Sequence, residues 1–556
     1  MDAPSTLRWN LLVCLGLLGV FALSTSAAYE PYTFLHGDSS FYATVNRSLL
    51  DGHLDQHQHQ PMSWYDQHLG WNDEMDAGWS NIALGRNGAY YPKHPLLLPL
   101  LGTPFFAVFG YNGLLALNVL LHVAALWLAF RIAVRWCRPE AAALVVLTLA
   151  MSPLYTRVAY SYSNDILYTV LAIAGIERFL AGRMRLSGLL FGLALFSKPT
   201  SVVLALPMGA WLLWKRDWRA IRDLTVGAAP PVLAFLLLNL WMFGNPLVTP
   251  YNRILVRHGG QQTLFDIADK FHRPWRQGLL DIFAAPYEGL LENCPAAFVG
   301  LLGLPFLVRA SPLMAGTLVA SMLGFFWLYV PFEYTYARFF LPWATLLAVP
   351  LALGVDRLTV AVERLRELLA ILPRKYTLAL VMSVLLLAAA VGLGRRHDSH
   401  AWHASRAITQ AKVERNPGPN AVPCDYFNPA QQKWECATYE PEGWQRWGLA
   451  LGDQCRFPDQ SRGWLWLHPA PNATKRIGWT GLPNGRLVLR YALTPASRSA
   501  GLQFRVQAGA ETQEITVPDV GVVHELVLAA PAGTLAVEVP RQAGDWRQLC
   551  VDGFVE

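Results

Sequence analysis

Five ionisable side chains stand beside long apolar runs in this 556-residue sequence: Asp38, Lys93, Asp165, Lys198 and Arg338. Charge at membrane depth is costly, so such residues mark function or pair with one another. Asp165 with Lys198, and Glu333 with Arg338, are the obvious candidate pairs. A carboxylate at the mouth of a helix bundle can act as a general base, taking a proton from a hydroxyl nucleophile. Asp38, in Tyr32-Thr33-Phe34-Leu35-His36-Gly37-Asp38-Ser39-Ser40-Phe41-Tyr42, suits that role. It also precedes a helical pattern in which Phe41, Val45, Leu49 and Leu50 share a face, so it is equally placed to cap that helix.

The elements that must position these residues are apolar. Charged residues make up 15% of the chain, against roughly 25% in soluble domains. The deficit lies between Trp9 and Gly394, while 395–556 has an ordinary soluble composition. A helix needs roughly 20 apolar residues to cross a bilayer. Trp9–Ala28 reads as a retained first span rather than a signal peptide, since its only preceding cation is Arg8 and its apolar run is long. Further spans are expected at about 112–135, 140–157, 164–181, 186–197, 200–214, 224–244, 296–308, 313–331, 339–355 and 376–394. That makes about 11 transmembrane helices in a mainly α polytopic membrane protein.

The run 186–214 is split at Lys198-Pro199. With the N-terminus cytoplasmic, this split places Arg131, Arg135 and Arg138, then Arg183 and Arg185, then Lys215 to Arg222, and finally Arg357 to Lys375 on the inner side. The stretch Leu97–Phe109 is short and holds Pro99 and Pro104, so it is expected to lie in the outer interface. All five ionisable residues then fall on the outer side, with the acidic loop 29–111 and residues 395–556. The net charge of +6 is distributed as topology requires, and no basic-aromatic patch or nucleic-acid motif accompanies it.

Of the seven cysteines, Cys14, Cys137 and Cys294 lie in or beside spans. Cys424, Cys436, Cys455 and Cys550 lie in the outer region, where an even number in an oxidising compartment predicts two disulfides. Three pairings are possible, and Cys424–Cys436 with Cys455–Cys550 is the expected one on sequence proximity. From about 460 onward, short alternating runs separated by Gly, Pro, Asn and Asp predict a soluble β-sandwich domain. Trp434, Trp444, Trp447, Trp464 and Trp466 are either core aromatics or a sugar-binding surface. Two sequons, at Asn46 and Asn472, face outward in this topology.

Residues 1–355 resemble the GT-C superfamily of membrane glycosyltransferases, in the branch of protein O-mannosyltransferases and aminoarabinose transferases. The resemblance rests on Gly37-Asp38 with Phe41-Tyr42 and Leu49-Leu50-Asp51-Gly52; on Tyr90-Tyr91-Pro92-Lys93-His94-Pro95-Leu96; on the Asp165 loop; on Gly192-Leu193-Ala194-Leu195-Phe196-Ser197-Lys198; and on Tyr336-Ala337-Arg338-Phe339-Phe340-Leu341-Pro342. It implies inverting transfer of a sugar from a polyprenyl-phosphate donor to a glycan, lipid or protein acceptor at the outer face of a bacterial plasma membrane. Asp38 matches the loop-one catalytic carboxylate, and Asp165 a second acidic position that binds acceptor or metal. Lys93, Lys198 and Arg338 match cations near the donor phosphate, which stabilise its departing charge. His94, Tyr42 and Tyr336 stand within the same motifs and are assigned to substrate binding. The chain departs from the pattern at Ser39, where the family often has a second acid, at His94, where Pro is common, and at Pro92, which is acidic in some relatives. A divalent ion is compatible with the family, but His53, His57, His59 and His68 do not make a closed ligand set by spacing.

Two other readings share this topology. One is a lipid or sugar transporter, disfavoured because polar residues gather at the outer ends rather than at the midplane of an inverted repeat. The other is a non-catalytic scaffold presenting a carbohydrate-binding domain, which leaves the five ionisable residues free to scatter.

Overall fold

The computed structural model describes residues 3–28, 38–56, 82–258, 261–284, 289–332 and 336–369, and from 426 onward mainly strands and their connections. The first helix, Ala3–Ala28, contains the apolar span Leu7–Ser26. It buries Val13, Leu17 and Phe21 in a cluster shared with the Tyr111–Ala133 and Pro139–Ala150 helices.

The expected count of eleven spans is not met. Among the described residues four helices are long and apolar enough to cross a membrane: Leu7–Ser26, Asn112–Ala133, Trp218–Phe243 and Pro312–Tyr329. Two bent pairs raise the number to six if each is one span: Pro139–Ala150 with Pro153–Ala159, bent by 61°, and Ala337–Leu346 with Ala348–Ala361, bent by 45°. The other expected spans are short helices, namely Asn164–Leu180, Met184–Ser197, Val202–Lys215 and pieces within Pro295–Ala310. At 1.5 Å per residue, helices of this size reach roughly 20–25 Å, short of the roughly 30 Å hydrocarbon core. Proline and polar residues cut them: Ser152-Pro153 ends one and Lys198-Pro199 another. The run expected at 376–394 lies outside the described residues.

The Leu97–Phe109 helix packs on the Asp38–Leu50 helix and turns sharply at Gly110 into Tyr111–Ala133. A Cβ at Gly102 would lie 2.1 Å from Tyr162 Oη, so only glycine allows this approach. The Tyr162 hydroxyl donates to the Leu98 carbonyl at 3.0 Å. Asn46 is fully buried and donates to the Pro99 carbonyl at 2.6 Å, which removes the first sequon from reach of a glycosylating enzyme in the folded protein. Asn472 lies outside the described residues.

The connections on the site side join in one four-stranded antiparallel sheet, ordered β2-β1-β3-β4, with β1 Ile82–Leu84, β2 Tyr90–Pro92, β3 Ile254–His258 and β4 Gln261–Phe265. Strands of two loops about 170 residues apart in sequence are thereby fixed together, through Ala83 opposite Ile254.

The C-terminal expectation of a β-sandwich is also revised. The described strands form two four-stranded sheets and a separate two-stranded ribbon, Tyr426–Asn428 with Lys433–Glu435. One apolar cluster includes Leu489, Leu493, Phe504, Val506, Leu535 and Val551 from both four-stranded sheets. The Glu511–Val517 strand is exposed at nearly every position and forms an open edge, not a wall of a closed sandwich. Alternation in sequence indicated strands but not how the sheets would close. Cys550 is buried there; Trp434 lies in the ribbon strand Lys433–Glu435, opposite Phe427, and Trp466 in the strand Leu465–Leu467, opposite Cys550, while Cys424, Cys436, Cys455, Trp444, Trp447 and Trp464 lie outside what is described, as do the expected pairings of those cysteines. Cys14, Cys137 and Cys294 are in no disulfide, and Cys294 Sγ accepts the Ser152 hydroxyl at 3.7 Å.

Candidate active site

Asp38 is the first residue of the Asp38–Leu50 helix, where a carboxylate is favoured by the helix dipole. Next to it, Ser39 Oγ accepts the Tyr162 N–H at 3.1 Å and ties this helix start to the 160–163 turn. Asp165 occupies the first turn of Asn164–Leu180. Ser163 is the N-cap: its Oγ accepts the Asp165 N–H at 3.2 Å and donates to Asp165 Oδ2 at 3.1 Å. Lys198 caps the C-terminus of Met184–Ser197 in an extended conformation, as the following Pro199 demands. Arg338 sits in the 3-10 turn Ala337–Phe340.

These four side chains converge. Arg338 Nη2 donates to Asp38 Oδ2 at 2.8 Å, and its Nε lies 3.4 Å from Asp165 Oδ2. Lys198 Nζ donates to Asp165 Oδ1 at 2.5 Å. The expected Asp165–Lys198 pairing is therefore present, while Glu333 lies outside the described residues. Aromatic faces line the cations: Lys198 over Tyr168 and Phe339, Arg338 over Tyr336 at 4.9 Å. Asp165 is buried, while the Asp38 side chain keeps 30% of its surface exposed.

Lys93 and His94 follow β2 at the edge of the loop sheet. His94 Nε2 lies 3.6 Å from Asp38 Oδ1, and its Nδ1 lies 3.3 Å from Tyr251 Oη. Its ring packs on Tyr42, one helical turn after Asp38, with centroids 4.9 Å apart. Burial raises the Asp38 carboxyl, but Arg338, with His94, Lys93 and Lys198, outweighs burial and holds it well below the usual carboxylate range. Burial pulls the His94 imidazole down to about 3 against the opposing pull of Asp38. Burial likewise lowers the Lys93 ammonium, partly offset by Asp38. For Lys198, Asp165 overcomes burial and raises the ammonium.

Residues assigned no role of their own from the sequence complete the site. Asn164 and Ser197 pair reciprocally: the Asn164 amide donates to the Ser197 carbonyl, and the Ser197 hydroxyl donates to Asn164 Oδ1 at 2.5 Å. This joins the start of one helix to the end of the next, directly beside Asp165 and Lys198. Tyr251 lies in the turn Pro250–Asn252, just before β3, and its adjacency to His94 arises from the shared sheet. Tyr251, His94, Pro199, Phe196, Asn239 and Met242 are among the residues lining an adjoining, mostly apolar crevice.

The two carboxylates share a guanidinium, and among the described residues no group of three or more His, Cys, Asp or Glu side chains is placed to hold a metal. His57, His59 and His68 lie outside the described residues, and His53 Nδ1 is engaged with the Asp55 carbonyl.

No curated protein matches the chain in sequence. Among solved structures it is similar to ArnT from Cupriavidus metallidurans bound to undecaprenyl phosphate, at 15% identity over 76% of this chain and 68% of that one, TM-score 0.40. It is similar to the archaeal oligosaccharyltransferase AglB from Archaeoglobus fulgidus, at 12% identity over 73% of this chain and 59% of that one, TM-score 0.38. A third is the arabinosyltransferase EmbB from Mycobacterium smegmatis, at 11% identity over 98% of this chain and 64% of that one, TM-score 0.36. Residues 94–331, a segment that contains His94, Asp165, Lys198 and Tyr251, match the model of glycosyltransferase family 87.

Proposed function

We propose that this chain is an inverting glycosyltransferase of the GT-C type, moving a sugar from a polyprenyl-phosphate donor to an acceptor hydroxyl at the outer face of a membrane. The observation that carries the reading is Arg338, shared between Asp38 and Asp165 with Lys198 alongside, where the ends of apolar helices meet. The family 87 match and the membrane-length helices support it. A lipid-linked donor keeps its tail among the helices and presents its phosphate to cations at the interface. Lys93, Lys198 and Arg338 are the cations for that phosphate. Their charge stabilises the oxygen from which the sugar departs. Asp38 is the carboxylate on which deprotonation of the acceptor depends, and Asp165 holds Lys198 and Arg338 in place. Tyr42 and Tyr336 shape the sugar site beside them.

The test is transfer by the purified chain from a panel of polyprenyl-phosphate sugars. Asp38→Asn keeps the shape and removes the charge. Turnover is expected to fall by about 10²–10⁴-fold. Undiminished turnover removes Asp38 from the reaction, and an inactive wild-type chain across the whole panel sinks the assignment.

A further inference from the structure

We propose that the end of the helix bundle far from Asp38 and Asp165 holds an anionic phospholipid headgroup, clamped by the guanidiniums of Arg131, Arg135 and Arg178. The inference does not rest on the sugar-transfer reading. Two helices reach from one site to the other. Tyr111–Ala133 meets the Asp165 turn near its start, where Asn118 Oδ1 accepts the Ser163 N–H at 3.4 Å, and carries Arg131 in its last turn. Asn164–Leu180 begins beside Asp165 and ends with Glu177 and Arg178. At 1.5 Å per residue, Glu177 lies about 18 Å along that helix from Asp165.

Glu177 is 1% exposed, yet three cations gather on it. Arg131 Nη2 donates to its Oε1 at 3.1 Å, Arg135 Nη2 lies 3.5 Å from the same oxygen, and Arg178 Nε lies 2.9 Å from Oε2. Arg131 also stands over the Trp127 ring at 5.2 Å, and Trp127 Nε1 donates to Asn10 at 2.9 Å. Arg135 Nη1 donates to the Leu180 carbonyl at 3.1 Å. The guanidinium forks are thus held in place by the protein itself. One carboxylate does not balance three guanidiniums. The helix end adds only about half a negative charge, so positive charge remains in excess. That excess is reachable: the Arg131, Arg135 and Arg178 side chains keep 34%, 30% and 22% of their surface exposed, with the carboxylate behind them. A bias of cations toward one membrane face accounts for their sign, but not for their convergence on one buried acid. Planar guanidiniums match phosphate oxygens in pairs. At the end of a membrane-length helix such as Asn112–Ala133, the abundant phosphate is that of lipid. A zwitterionic headgroup brings a cation of its own into a site already cationic, so a headgroup of net negative charge is favoured.

The test is titration of the purified, detergent-solubilised full chain with dioleoyl phosphatidylglycerol or dioleoyl phosphatidylcholine, with bound lipid read by native mass spectrometry. Phosphatidylglycerol is expected to bind about tenfold tighter than phosphatidylcholine. Inorganic phosphate at the same concentration is expected not to displace it. Arg178→Gln leaves Arg131 and Arg135 on Glu177 and is expected to weaken phosphatidylglycerol binding about fivefold. Arg131→Lys keeps the charge beside Glu177 but removes the fork, and a similar loss is expected, so the test stands even where Arg178→Gln fails to fold. Arg185, further along the chain, is 70% exposed and pairs with Asp223 instead. Arg185→Gln is expected to change the Kd by less than about twofold. A loss there equal to that of the cluster variants marks a diffuse basic surface and overturns the site. Equal binding of the two lipids, or an unchanged Kd in both cluster variants, overturns it as well. Displacement by inorganic phosphate overturns the lipid as the occupant.

Discussion

Arg338 faces two carboxylates, and that sharing decides how each behaves. Asp38 stays ionised and Asp165 holds Lys198, so acids and bases neutralise one another within a few ångströms. His94 is the residue whose protonation has the clearest consequence for stability. Its folded value of about 3 lies below the roughly 6.5 of an exposed imidazole. Between those values the unfolded chain binds a proton that the folded chain does not, so stability rises with pH across that window. The contribution is complete above about pH 6.5 and is lost as pH falls toward 3. Thermal midpoints of the detergent-solubilised protein are therefore expected to drop as pH is lowered through this window, and His94→Gln is expected to flatten the slope. An identical slope in wild type and variant contradicts a buried neutral His94.

At the scale of elements, the site depends on how helix ends meet. The Asn164–Ser197 pair brings the end of Met184–Ser197 against the start of Asn164–Leu180, so Lys198 reaches Asp165 across 33 residues of chain. The Ser197 hydroxyl and Asn164 are buried, and removing one partner leaves the other unsatisfied. Ser197→Ala is expected to weaken binding of a polyprenyl phosphate by about three- to tenfold, from a net hydrogen-bond contribution of about 0.5–1.5 kcal/mol. Titration of the variant with that lipid checks this, and an unchanged Kd shows that Lys198 is held by Asp165 alone. The loop sheet does comparable work for His94 and Tyr251, which no local sequence pattern connects.

At the scale of the whole molecule, the proposal requires that the site open on the outer side. Asp51, at the end of the Asp38–Leu50 helix, and Arg183, in the turn before Met184–Ser197, are both exposed. In a background stripped of native cysteines, Asp51→Cys is expected to react with a membrane-impermeant maleimide on intact cells. Arg183→Cys is expected to react only after the membrane is opened. The reverse pattern inverts the topology and places the ionic cluster inside.

The sequence by itself determined that apolar helices dominate the first two thirds of the chain, that strands dominate the end, and which charged residues flank those helices. These are properties of composition and local period, and they survive any packing. It identified Asp38, Asp165, Lys198 and Arg338 because charges beside apolar runs are costly enough to stand out. The number of spans was not legible, because a proline or a polar residue within an apolar run sets where a helix breaks but not how far it bends: 61° at Ser152-Pro153 and 45° at the 337–361 pair. How the sheets close was hidden as well, since alternation predicts a strand and not its neighbours. Only the tertiary structure joined Arg338 to a carboxylate 300 residues away and His94 to Tyr251, 157 residues away. Contacts at that separation depend on helix ends and loop strands arriving at one place, and no local signal in the chain records that meeting.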